Sequence, residues 1–137
     1  MSFINSILKI FVGDKSEKDV KALQGNVAKI KAIGVTLESL SNDDLRAKTI
    51  AFKEKIKEAR AEKDAKISAL QLEVESIEDI DKREDIYLAI DSLEKEAYEI
   101  SEKTLNEILP EAFAVIKETA RRFKENTEIV VTATAKD

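Results

Sequence analysis

Cysteine, histidine and tryptophan are all missing from this chain of 137 residues, which also has one proline and three glycines. Without cysteine there is no disulfide framework, thiolate nucleophile or zinc–thiolate site. Without histidine the usual serine triad and histidine-bound metals are excluded. So little glycine and proline leaves too few turn residues for an all-β fold and favours helices. No apolar run approaches the roughly 18 to 20 residues that a membrane span needs. The opening MSFINSILKIFVG is too short and too weakly basic for a secretory signal, and no small-residue cleavage site follows it. An intracellular chain is therefore expected.

Charge and aliphatic carbon are plentiful instead. Charged residues make up 37% and hydrophobic ones 43%, too apolar a mixture for a wholly disordered chain. The length suits one domain with a modest core. A formal charge of −5 makes nucleic acid a poor partner. The fold class expected is all-α.

Taken in order, residues 2 to 12 put Phe3, Ile4, Ile7, Leu8 and Phe11 on one helical face, with Asn5, Ser6 and Lys9 mostly on the other. A helix this short is marginal alone in water. It is expected to dock on its own core, a partner protein or a membrane surface, although Lys9 and the terminal amine attract anionic lipid only weakly. Gly13 and Asp14 are expected to break it. Ser16, with Asp19 three residues on, then caps a helix over about 17 to 33 whose stripe is Val20, Leu23, Val27 and Ile30. Gly25 within that helix predicts close approach of another segment, and Gly34 is the expected stop.

Ser41 caps the next helix, with Asp43 and Asp44 in its first turn, where the dipole favours negative charge. Leu45, Phe52, Ile56 and Ala59 line one side. The pattern continues through Ile67, Leu70, Val74 and Ile77, which predicts one long helix over about 42 to 76. Asp79 and Asp81 mark a turn. A second long helix is expected from near Lys82, with Ile86, Ile90, Leu93, Ala97, Ile100 and Leu105 as its stripe, and the two read as an antiparallel hairpin. The acidic run from Glu73 to Ile86 lacks the glycine and the ligand spacing of a calcium loop and reads as a solvated tip.

Pro110 is expected in the first turn of a last helix, where its missing N–H is harmless. That helix would bury Phe113, Ile116, Ala120 and Phe123 and end at Asn126. Lys117, Arg121, Arg122 and Lys124 cluster towards its C-terminal end, either to meet a phosphate or, more simply, to complement the helix dipole. The tail from Glu128 to Ala135 reads as a short strand without a partner, or as a disordered segment.

Three stretches carry a family resemblance: Lys9 to Ser16, KIFVGDKS; Leu40 to Lys53, LSNDDLRAKTIAFK; and Leu109 to Arg122, LPEAFAVIKETARR. Together they resemble the N-terminal region of the SecA family, the ATP-driven motors of bacterial preprotein export. The resemblance covers about residues 1 to 57 and 104 to 124. It implies that residues 1–137 form a single helical region ahead of the Walker A loop, with the 57–103 segment as an inserted helical hairpin where the family usually has a short connection. After Arg122 the family proceeds to a glutamine-bearing stretch and the Walker A loop, whereas here KENTEIVVTATAKD follows.

No G-x-x-x-x-G-K-[ST] occurs in the chain; Gly13, Gly25 and Gly34 are its glycines, and none precedes a lysine. Nothing here would cradle nucleotide phosphates. Hence no catalytic, cofactor-binding or metal residue is expected in this chain, while the parent it resembles would use ATP and magnesium. The resemblance further implies contact with anionic phospholipid and the SecYEG channel, and with preproteins through the parent, at the cytoplasmic face of the bacterial inner membrane. By position, Phe3, Ile4, Ile7, Leu8 and Phe11 would be the inserting face, with Lys9 near phosphate. The alternative is a stand-alone helical-hairpin adaptor that binds partner helices. Apolar stripes of this extent also predict that the isolated chain self-associates.

Overall fold

A computed structural model describes residues 3–135, with side chains described from Lys18 onward except Ala22. It has three helices, α1 (Phe3–Leu37), α2 (Asn42–Ser76) and α3 (Ile80–Glu125). There is no strand among the described residues, so the all-α expectation holds. The boundaries differ from it in instructive ways.

The start of α2 is as expected. Ser41 Oγ accepts from the Asp44 N–H at 3.1 Å and donates to Asp44 Oδ2 at 2.6 Å. That reciprocal pair satisfies an orphan donor and places a carboxylate in the first turn. The helix then runs 35 residues to the turn at Ile77, whose N–H reaches the Val74 carbonyl. Asp79 caps α3, accepting from the N–H groups of Asp81 and Lys82. Helix three therefore begins two residues ahead of the expected Lys82, because an aspartate at the cap outcompetes a basic residue there.

α2 and α3 form the predicted antiparallel hairpin, and its register can be read from three ion-pair rungs. Lys48, Lys55 and Lys63 meet Glu111, Glu107 and Glu96 at 2.9, 3.3 and 2.5 Å. Fifteen residues separate the first and last lysine, and fifteen separate their glutamates, so the helices keep step between these outer rungs, while the middle pair lies seven residues on in α2 and four back in α3. Further along the hairpin, Ile67, Val74, Ile90 and Ala97 are buried. Ala97 is fully covered, and it lies in register with the part of α2 where Arg60 and Lys63 replace aliphatic side chains. A small residue there leaves room for the long stems; Arg60 Nη2 donates to Asp64 at 2.9 Å and Lys63 pairs with Glu96, while Arg60 Nε is buried without a hydrogen-bond partner.

Three helix-breaking signals fail. α1 runs unbroken through Gly13, and Gly34 does not stop it. A Cβ built on Gly25 or on Gly34 meets nothing within 4 Å, so the close approach expected at Gly25 is absent. These glycines only weaken the helix by about 1 kcal/mol each against alanine. α3 likewise continues through Pro110, which is buried inside it. An interior proline costs about 3 kcal/mol, and packing on both sides of the residue outweighs it: Ile108, Ala114 and Val115 are buried too.

The buried face of α3 is also not the one expected beyond the proline. Phe113, Ile116 and Phe123 are 53%, 64% and 69% exposed, and Ala120 is exposed as well. Thr104, Ile108, Ala114, Val115 and Glu118 are buried instead, and Leu105 stands out at 43%. Because the helix never breaks, its second half continues the phase set by Ile90 and Ala97; the aromatic stripe falls outside. The core at this end joins Leu37, Leu45, Ala114 and Val115, with Ile30, Ile33, Leu40 and Phe52 packed against it. Burial of each large aliphatic side chain there is worth about 1.5–3 kcal/mol.

Candidate functional site

The richest polar constellation lies where the end of α1, the start of α2 and the end of α3 cross. Its pivot is Glu118, buried at 5% exposure. Three- and four-residue spacing puts Arg121 and Arg122 on the same side of α3 as this carboxylate. Arg121 donates through Nε to Oε2 at 2.8 Å and through Nη2 to Oε1 at 2.7 Å, and Arg122 donates through Nε to Oε1 at 2.8 Å. The hydrogen bonds from Arg121 are the chief cause holding the Glu118 carboxyl down to about 2; burial opposes them, and Arg122 adds to them. Reciprocally, Glu118 holds the Arg121 guanidinium above its ordinary value.

Arg122 then fastens the other two helices. Its Nη1 donates to Asn42 Oδ1 at 2.7 Å, and its Nη2 donates to the carbonyls of Leu37 and Leu40 at 3.1 and 2.8 Å. Those carbonyls lie at the end of α1 and in the turn after it, beyond the reach of regular helix donors; that of Leu37 also accepts from the Leu40 N–H at 3.1 Å. A planar fork with five donors suits this task, and a lysine ammonium does not. The expected basic cluster is thus divided. Arg121 and Arg122 are held by carboxylates and carbonyls, while Lys117 and Lys124 are exposed.

The tail after α3 is neither a strand nor loose. Asn42 Nδ2 donates to the Val130 carbonyl at 2.9 Å, and Arg46 Nη1 to that of Thr132 at 3.0 Å. The Thr132 N–H and hydroxyl donate to the Asp43 carboxylate at 2.9 and 2.5 Å. Between tail and helices lies a largely apolar cleft of about 250 Å³, lined by Leu45, Val115, Phe123, Ile129 and Val131 among others. Periodicity could not announce this clasp, since it joins residues almost ninety positions apart. The one available hint is that Asn42, Asp43 and Arg46 share a polar side at the start of α2.

Chemically the crossing is a clamp. Glu118 and Glu125 together balance Arg121 and Arg122, and among the described residues no group of three or more histidine, cysteine or acidic side chains is placed to hold a metal. No described helix is long and apolar enough to cross a membrane. The proposed contact residues Phe3, Ile4, Ile7, Leu8, Lys9 and Phe11 belong to α1, but their side chains lie outside the described residues.

Comparison with known proteins falls on these same elements. The family model described as the SecA DEAD-like domain matches residues 8–134. Proteins named protein translocase subunit SecA match throughout. The one from Flavobacterium psychrophilum is 73% identical over 137 residues, and that from Christiangramia forsetii 56% over 137, each covering 100% of this chain. The one from Phocaeicola vulgatus is 48% identical over 134 residues, 98% of the chain. The chain spans 12% of the length of each of these relatives. No solved structure matches it. With the two motif segments packed together at the crossing and the family model spanning nearly every residue, the chain belongs to the SecA family, in the region of its DEAD-like domain.

Proposed function

We propose that this chain is the N-terminal scaffold of a SecA-type protein translocase and carries no nucleotide chemistry of its own. The supporting observation is the crossing. The segments LSNDDLRAKTIAFK and LPEAFAVIKETARR, which carry the family resemblance, supply Leu45, Ala114 and Val115 to one core and the Lys48–Glu111 rung beside it. Glu118 and Arg122 lock the same junction. In this reading the crossing fixes the path of three helices so that a nucleotide-binding loop elsewhere in the parent has a rigid wall to work against. ATP and magnesium belong to that parent, which would drive preproteins through the SecYEG channel. The 57–103 segment is the added hairpin arm.

The first turns of α1 carry the membrane role. Phe3, Ile4, Ile7, Leu8 and Phe11 insert at an anionic phospholipid surface or the channel mouth, and Lys9 meets phosphate, placing the protein peripherally on the cytoplasmic face. Flotation with anionic and zwitterionic liposomes, with and without residues 1–12, tests this. The intact protein is expected to float with anionic vesicles and the shortened form to remain behind; equal flotation of both would refute the assignment.

A further inference from the structure

Away from the crossing, one edge of α3 is left uncovered by the described residues. Tyr87, Tyr98 and Leu105 stand eleven and then seven residues apart, close to whole numbers of turns, and so line one edge over about 27 Å. They are 54%, 64% and 43% exposed. Asp91, Glu94 and Glu102 are interleaved on that edge, also exposed, and have no ion-pair partner among the described residues. The opposite edge of the same helix behaves differently, because Glu96 and Glu107 are engaged by Lys63 and Lys55. Carboxylates are therefore left over on the side where the tyrosines are.

This combination has a definite complement. A tyrosine ring offers an apolar body, a polar tip and a face that attracts cations. Uncompensated carboxylates between such rings favour a cationic partner and repel an anionic lipid surface. The straight run of the edge along several turns matches the stripe of a second helix. We propose that this edge of α3 binds a lysine- or arginine-bearing amphipathic helix of a partner protein. Its apolar residues would seat on Tyr87, Tyr98 and Leu105, and its cations on Asp91, Glu94 and Glu102.

The chain carries its own reporter. Tyr87 and Tyr98 are its two tyrosines and it has no tryptophan, so tyrosine emission reads this edge alone. Titration of the 137-residue chain with an amphipathic leucine–lysine peptide lacking aromatics is expected to change that emission saturably. A leucine–glutamate peptide of the same pattern should leave it unchanged. The triple variant Asp91→Lys, Glu94→Lys, Glu102→Lys is expected to bind about tenfold more weakly or worse. The triple Glu73→Lys, Glu75→Lys, Glu78→Lys makes the same change in net charge off the edge, and should alter affinity less than about twofold. Equal weakening by both triples would mean attraction by net charge alone and would overturn the proposal. So would unchanged emission at saturating peptide. A peptide-free emission change that follows dimer formation in sedimentation would hand the edge to a second copy and overturn it as well. If the first triple loses helicity, the pair Tyr98→Ser and Leu105→Ser, read by anisotropy of labelled peptide, decides instead. Binding must weaken again, and unchanged affinity counts against the assignment.

Discussion

Arg122 and Leu37 lie 85 positions apart in sequence, and Nη2 of the arginine donates to the leucine carbonyl at 3.1 Å. The same nitrogen reaches Leu40, while Nε holds Glu118 and Nη1 holds Asn42. One side chain thus joins the end of α1, the start of α2 and the last turns of α3.

Removing this fork should be among the most damaging single changes. Arg122→Ala leaves Glu118 short of a donor, strips the Leu40 carbonyl of its partner and leaves that of Leu37 with the Leu40 N–H alone; it is expected to lower unfolding free energy by about 2–4 kcal/mol. Arg122→Lys should recover less than half of that, since an ammonium cannot reach four acceptors in a plane. Urea unfolding followed by circular dichroism checks both.

Glu118 sets a pH dependence. Its folded value of about 2 lies below the ordinary 4.5. The stability it contributes is therefore complete above about pH 4.5 and drains away as pH falls from there towards 2. Glu118→Gln should be less stable at neutral pH and should show a shallower loss across that acid window. Urea midpoints at half-unit pH steps provide the comparison.

Open space above two glycines makes the opposite kind of change possible. Gly25 and Gly34 sit in α1 with no positive φ, and a methyl group added at either Cα would have no neighbour within 4 Å. Gly25→Ala and Gly34→Ala should each stabilise by about 0.5–1 kcal/mol. Thermal melting of each single variant and of the double tests this, and a lowered Tm would contradict it.

The tail clasp should be separable from global stability. Asp43→Ala removes the acceptor for the Thr132 N–H and hydroxyl. Amide exchange at Thr132 is expected to accelerate at least about tenfold, with cleavage by a non-specific protease appearing between residues 126 and 135. The helices themselves should lose only what a first-turn carboxylate contributes, about 0.3–1 kcal/mol.

At the surface of the hairpin the rungs should contribute little energy and much register. In a double-mutant cycle, Lys63 and Glu96 should couple by about 0.2–1 kcal/mol. The swap Lys63→Glu with Glu96→Lys should restore what either single change loses.

Much of this architecture is readable from the residues. The cap at Ser41, the length of α2, the antiparallel hairpin and the all-α class follow from apolar spacing and from side-chain chemistry within one helical turn. The misreadings share one physical origin. Gly13, Gly34 and Pro110 carry local penalties of about 1 to 3 kcal/mol, and helix continuity over many packed turns exceeds them. Once α3 is taken as unbroken, its buried phase passes to Val115 and Glu118, and Phe113, Ile116 and Phe123 turn outward. The sequence expectations leave Glu118 out of the basic cluster, although its three- and four-residue spacing from Arg121 and Arg122 was the available signal. Nothing local in the sequence says that Arg122 reaches Leu37 or that Asp43 holds Thr132.

α3 is a single helix of 46 residues, about 69 Å from end to end, and it passes without interruption from the acidic tip to the crossing. The acidic tip and the Glu118–Arg122 clamp therefore stand at opposite ends of one continuous helix, and Pro110 is the residue between them that cannot donate a backbone hydrogen bond to it.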